Sequence, residues 1–176
     1  MIIGLTGKSC SGKNYVGILL KRKGFEVLDL DREASAIRKE KSEEVGRALG
    51  TTDARIIRDL VFEDPAKLKA LEDIIYPVLV DRIKALKKDV IINGATIYRA
   101  GLDKICSFVI YVDAPYNERL ERAKNRDRIT EEQFLKREQS QKDVDYRSVE
   151  YRCPVHVLLN SKNDVTRDLD KILSAL

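Results

Sequence analysis

MIIGLTGKSCSGKN, residues 1–14, is the stretch that decides the fold. Ile2–Thr6 is short and apolar, the length of a buried strand. It runs without a spacer into GKSCSGK, residues 7–13, after which the sequence takes on helical spacing with Lys13 opening the helix. The spacing is that of a phosphate loop, GxxxxGK. Its glycines, Gly7 and Gly12, let backbone N–H groups turn inward around phosphate oxygens at a helix N-terminus whose dipole favours anions. A glycine-rich turn that holds nothing shares the composition, but not the order of strand, loop, lysine and helix. We therefore assign Gly7, Lys8, Ser9, Cys10, Ser11, Gly12 and Lys13 to nucleotide binding, with Lys13 reaching the outer phosphates as a point charge.

The next position departs from the pattern. Ser or Thr is expected there, its hydroxyl on Mg²⁺, and the residue is Asn14. Magnesium takes hard oxygen ligands and keeps several waters, so the Asn14 carbonyl oxygen, or a water it holds, is the candidate metal ligand. Weaker metal binding with retained nucleotide binding is the expectation. Cys10 sits at the same helix N-terminus, where a thiol pKa can fall; the simpler reading is a small residue filling a tight loop.

Further strand-length apolar runs occur at residues 25–28, 90–92, 108–112 and Val155–Leu159, separated by longer charged segments of helical spacing. Strands alternating with helices imply an α/β fold whose parallel sheet is covered on both faces. Gly24 marks the end of the first helix, Asp64 followed by Pro65 starts another, and Thr130 to Gln133 reads as a capping box. Residues 42–88 hold no strand and form an all-helical insertion within one domain, residues 1–176.

The chain has 176 residues, enough for one domain with a real core, and carries 33 Lys and Arg against 29 Asp and Glu, a net charge of +4. The basic residues are scattered, without the stripe and interleaved aromatics of a nucleic-acid site. Three widely spaced cysteines form no disulfide framework and no zinc motif. No apolar run approaches the roughly 20 residues that span a bilayer. A cytoplasmic protein with no membrane or nucleic-acid partner is expected.

A GTPase would show a DxxG switch, and no glycine here has Asp three positions before it. SKND at residues 161–164 is a near match to a base-reading motif, but it stands alone. Kinases of small metabolites place an acidic group at the end of the second strand and close a basic lid over the phosphates. VLDLD, residues 27–31, puts Asp29 and Asp31 on one side of a strand by period two. Asp31 is the candidate general base, compatible with a second role as N-cap of a helix starting at Arg32. Arg119, Arg122 and Arg126 share a helix face, and as a set they suit a triphosphate.

These residues together resemble the dephospho-coenzyme A kinase family. The similarity lies in GLTGxxxSGK from Gly4 to Lys13, in V-x-D-x-D from Val27 to Asp31, and in VFEDP and LEDIIYP at residues 61–65 and 71–77. It continues in a lid pattern at Arg122 to Asp127 and Arg137 to Gln141, and in Asn160 after the last strand. The resemblance implies a three-layer P-loop fold with a five-stranded parallel sheet, the helical insertion (about 42–88) helping to form the substrate pocket, and a lid at about 119–141. It implies transfer of the γ-phosphate of ATP, with Mg²⁺, to the ribose 3′-hydroxyl of dephospho-CoA, the last step of coenzyme A biosynthesis. In that scheme Asp31 is the base, Lys13 and Arg122 steady the phosphoryl group, and Arg126 and Asn160 contact the nucleotide. Four positions depart from the family's pattern: Asn14, Tyr76 in place of His, and Asn93 and Arg99 where carboxylates are expected. Two alternatives stay open, a kinase of another small metabolite or nucleoside monophosphate, and a nucleotide-binding protein with impaired catalysis.

Overall fold

The structure is a computed structural model and describes residues 1–161 and 164–174. Lys162 and Asn163, the middle of the SKND near match, lie outside the described residues. Two compact units are present, Met1–Leu28 with Lys88–Leu176, and Asp29–Lys87.

The first unit is built on parallel strands. β1 (Ile2–Thr6) leads through the glycine loop into α1 (Lys13–Arg22), and β2 (Val27–Asp29) follows at the boundary with the second unit. The chain returns in β3 (Val90–Asn93), then β4 (Phe108–Asp113), α6 (Tyr116–Asp127), α7 (Glu131–Ser140), β5 (Val155–Leu159) and α8 (Val165–Ser174), after α2 to α5 of the second unit. Among the described residues the sheet has five strands in the order β2-β3-β1-β4-β5. β1 pairs in parallel with β3 and with β4, and β4 with β5. Ile3, Leu5, Val109, Ile110, Tyr111 and Val112 are all buried, a continuous run rather than an alternation, because helices cover both faces of a parallel sheet. Val16 and Leu20 of α1, Leu158 of β5 and Leu169 of α8 complete this core. The strand order reverses at β1, and the crevice beyond the carboxyl end of such a strand is where open α/β sheets bind ligands. The glycine loop starts there.

The second unit is helical: α2 (Leu30–Glu40), α3 (Ser42–Leu49), α4 (Ala54–Glu63) and α5 (Pro65–Lys84). Val45, Leu49 and Ile57 form its centre, with Leu60, Val61, Leu71 and Ile74 packed on them. Asp64 accepts from the N–H groups of Ala66 and Lys67 at 2.8 and 3.3 Å, and Pro65 occupies the first helical position, where its missing N–H costs nothing. The expected capping box at Thr130 and Gln133 is formed in both directions. Gly24 sits just past α1 with φ of 91°, a left-handed conformation that closes the helix.

VLDLD does not run as one strand. β2 ends at Asp29, whose Oδ1 accepts from the N–H groups of Asp31 and Arg32 at 2.9 and 3.2 Å. That cap starts α2 at Leu30, so Asp29 is the N-cap in place of Asp31, and Asp31 lies on the first helical turn. An Asp side chain bonded to the N–H groups two and three residues ahead competes with strand extension and wins here.

Candidate active site

The loop between β1 and α1 is shaped by three left-handed residues: Gly7 at φ 146°, Cys10 at φ 60° and Gly12 at φ 100°. A Cβ on Gly7 would strike the carbonyl oxygen of Val112, and one on Gly12 would strike Asn160 Nδ2, so neither position admits a side chain. Cys10 adopts its conformation with a side chain, a cost of order 1–2 kcal/mol. It is buried with Ala123 and Phe134 of the two helices above it, and its Sγ lies 3.4 Å from an Arg126 guanidinium nitrogen. Packing thus holds the strained residue, and the bland reading of Cys10 as a loop filler agrees with its burial.

The loop's carbonyl oxygens all find donors. Lys13 Nζ reaches back to the oxygens of Gly7 and Lys8 at 2.6 and 3.2 Å. An Arg119 guanidinium nitrogen donates to Ser9 O at 3.3 Å, and one of Arg122 to Cys10 O and Ser11 O at 3.3 and 3.4 Å. Asn160 Nδ2 donates to Ser11 O at 2.7 Å, and Gly12 O accepts from Val16 N at 3.1 Å. Carbonyls turned toward cationic and amide donors leave the opposite, amide edge of the loop for an anion, as in a backbone nest. Ser11 Oγ is fully buried without a hydrogen-bond partner among the described residues. Lys13 opens α1 with no side-chain cap, so the N-terminal dipole of that helix is directed at the loop.

Arg122 also donates to Asn160 O and to Glu118 Oε2, both at 3.0 Å. Its guanidinium therefore braces the loop against the end of β5, a scaffolding role that a helix-face pattern does not reveal. Arg126 pairs with Asp127 and faces, with Cys10, Gly12, Arg122 and Asn125, a cavity of about 470 Å³. Asp127 also takes Arg137 at 2.5 Å, and hydrogen bonds from these two arginines hold its carboxyl well below the usual carboxylate range.

Sequence reasoning missed a buried network that ties the loop to α6 and α7. Arg119 is only 5% exposed; its guanidinium forks onto Glu138 of α7 at 2.5 and 2.8 Å and donates from Nε to Ala114 O at 3.0 Å. Lys8 Nζ lies 3.5 Å from Glu138 and 3.0 Å from Asp145, and Ser9 N donates to Gln141 Oε1 at 2.7 Å. Burial by itself would raise the Glu138 carboxyl pKa, but Arg119 and Lys8 hold it below the ordinary glutamate value. Asp145 is lowered too, against its burial, by the Arg147 N–H and by Lys8. The available signal was Gln141 in R-x-x-x-Q; nothing local marks Glu138.

Asn14, on the first turn of α1, accepts on Oδ1 from Asn93 Nδ2 at 3.4 Å, and Asn93 Oδ1 is buried without a partner among the described residues. Two of the departures from the family's pattern thus touch. An ion carried in by a triphosphate needs only one or two protein oxygens. The Asn14 amide oxygen, near the loop and with a second lone pair, fits that demand. Asp31 belongs to the helical unit, on the first turn of α2. In the same unit Tyr76 donates its hydroxyl to Glu72 Oε1 at 3.0 Å.

A phosphate loop at the switch point of a five-stranded parallel sheet narrows the choice to nucleotide-dependent enzymes, and comparison with known proteins completes it. The sequence model of dephospho-CoA kinase matches residues 1–163. The chain belongs to the dephospho-CoA kinase family. Dephospho-CoA kinase of Fusobacterium nucleatum is 36% identical, with 75% of this chain and 76% of that one covered. That of Thermus thermophilus is 34% identical over 80% of this chain and 75% of its own. A crystal structure of a Thermus thermophilus protein, 33% identical, superposes with a TM-score of 0.81 over 100% of this chain and 97% of that one. The kinase is thus an ATP-dependent phosphotransferase of P-loop fold, and dephospho-CoA is its family's small-molecule substrate. Among the described residues no helix is long and apolar enough to cross a membrane.

Proposed function

We infer that this kinase transfers the γ-phosphate of ATP to the ribose 3′-hydroxyl of dephospho-CoA, with Asp31, Lys13 and Arg122 as the reacting-centre residues. The observation that carries the reading is the loop whose carbonyls, from Gly7 to Gly12, are all turned onto donors. Such a loop binds phosphate through its amides without reorganisation when charge develops. In this scheme Lys13 leaves its two carbonyls for the β- and γ-phosphates, and Arg122 neutralises the transferring group from the side of β5. Asp31 takes the proton of the acceptor hydroxyl; its warrant is the sequence motif. The amides of Cys10, Ser11 and Gly12 bind the phosphates, Lys8 and Ser9 complete the nucleotide-binding loop around them, and Arg126 and Asn160 bound the nucleotide side.

Mg²⁺ would supply charge neutralisation to the phosphates when bound, and Asn14 is the residue that would hold it. The helices at about 42–88 form the acceptor side and residues 119–141 the lid. We place the reaction in the cytoplasm, where three free cysteines are at home.

An ADP-release assay with ATP and dephospho-CoA, run beside a panel of nucleoside monophosphates and small alcohols, tests the reading. Turnover confined to dephospho-CoA is expected. Turnover of another acceptor without dephospho-CoA would replace it with the alternative kinase, and binding of ATP without any turnover would identify an impaired nucleotide-binding protein.

A further inference from the structure

Ser9 is held from outside the loop on both of its backbone polar groups. Its N–H donates to Gln141 Oε1 at 2.7 Å, and its carbonyl accepts from Arg119 at 3.3 Å. We propose that Gln141 and Arg119 are positioning residues that grip the Ser9 backbone through its N–H and its carbonyl and keep the phosphate loop in its nucleotide-binding shape, with Glu138 tying the grip to Lys8.

The arrangement is more than a pair of contacts. Gln141 caps the C-terminus of α7, and its own N–H is bonded to Glu138 O at 3.2 Å, so Gln141 and the carboxylate that holds Arg119 share one helix end. Glu138 lies between Arg119 and Lys8, accepting the fork of the first and pairing with the second. The Arg119 guanidinium lies over the rings of Phe134 and Tyr116, its carbon 5.6 and 6.0 Å from their centres, which restricts its freedom to swing away. A buried guanidinium with a fixed fork is a rigid donor.

The consequence for binding is preorganisation. A glycine-rich loop loses conformational freedom when it closes on phosphate, and a loop already held in shape loses less. The Ser9 N–H, turned onto Gln141, is a structural donor rather than one aimed at the nucleotide. The Lys8 ammonium, between two carboxylates, works with it. This inference rests on the reading that the loop receives the phosphates of ATP.

The test uses the full chain. Hydrogen exchange followed by NMR is expected to show the Ser9 amide protected in the wild type and unprotected in Gln141→Leu, which removes the acceptor at similar volume. Calorimetric titration with ATP is expected to show affinity weakened about tenfold in that variant, the size of one lost hydrogen bond with its ordering. Affinity for dephospho-CoA should stay within about twofold, well below one hydrogen bond's worth. Gln141→Glu keeps an acceptor oxygen and is expected to retain Ser9 protection and most of the ATP affinity. A wild-type Ser9 amide that exchanges freely, an ATP affinity unchanged in Gln141→Leu, or an equal loss for both substrates would each overturn the proposal. ATP binding that weakens as stated, in a protein that does not phosphorylate dephospho-CoA, would support the grip while removing the functional reading.

Discussion

Asn93, the last residue of β3, donates its side-chain amide to the amide oxygen of Asn14 at 3.4 Å on the first turn of α1. A neutral pair therefore stands where a phosphate loop ordinarily offers a hydroxyl to the metal. Its carbonyl oxygen is a hard donor, but one of its lone pairs is engaged.

Asn14→Thr should accordingly lower the Mg²⁺ concentration for half-maximal activity, by about three- to tenfold, the scale of one hydrogen bond in a donor set. A magnesium titration at saturating ATP measures it. An unchanged midpoint would show that Asn14 does not contribute to the metal's surroundings.

Asp31→Ala should abolish turnover while leaving ATP affinity intact, because a general base acts on the acceptor and general acid–base catalysis contributes about 10²–10⁴-fold. Steady-state rates together with calorimetric ATP binding separate the two effects. Asp31 is not the cap of α2; Asp29 is, so the substitution leaves the helix start in place. Residual activity above a tenth of wild type would assign the base elsewhere.

Gly12→Ala should eliminate nucleotide binding. The residue stands at φ 100°, and an added Cβ would collide with Asn160 Nδ2, the group that holds the Ser11 carbonyl. Both the left-handed backbone and the lost amide contact act in one direction. Loss of ATP heat in calorimetry, with far-UV circular dichroism preserved, is the expected result.

Acid should loosen the buried network. The Glu138 pKa is lowered in the folded protein, so the unfolded chain binds more protons as pH falls. Its stabilisation is complete above the unfolded value of about 4.3 and disappears as pH drops through the lower folded value. Chemical denaturation at several pH values between about 6 and 3 should show wild type losing stability faster than Glu138→Gln, so that the gap between them narrows toward acid. A constant gap across that range would remove Glu138 from the ion-pair network as a stabilising charge.

Residues 1–14 determined the location of the phosphate site by themselves, since strand period, glycine spacing and a helix start are all local features. The alternation of strands and helices likewise announced a parallel α/β sheet, and the caps at Asp64 and Thr130 needed only their next three residues. Asp31 shows where local reading stops: VLDLD suits a strand by period, and the competition between strand extension and the Asp29 cap was settled when β2 ended. Arg119 and Arg122 show the larger limit. Their spacing put them on one helix face, but whether a guanidinium meets solvent, phosphate or protein depends on what is packed above it. The partners came from 19 residues away in Glu138 and 110 away in Ser9, and Gln141 reached Ser9 from 132 away. No periodicity spans such distances. Burial of those charges forces each to find an opposite charge or a carbonyl, and only the tertiary structure decides which one is within reach.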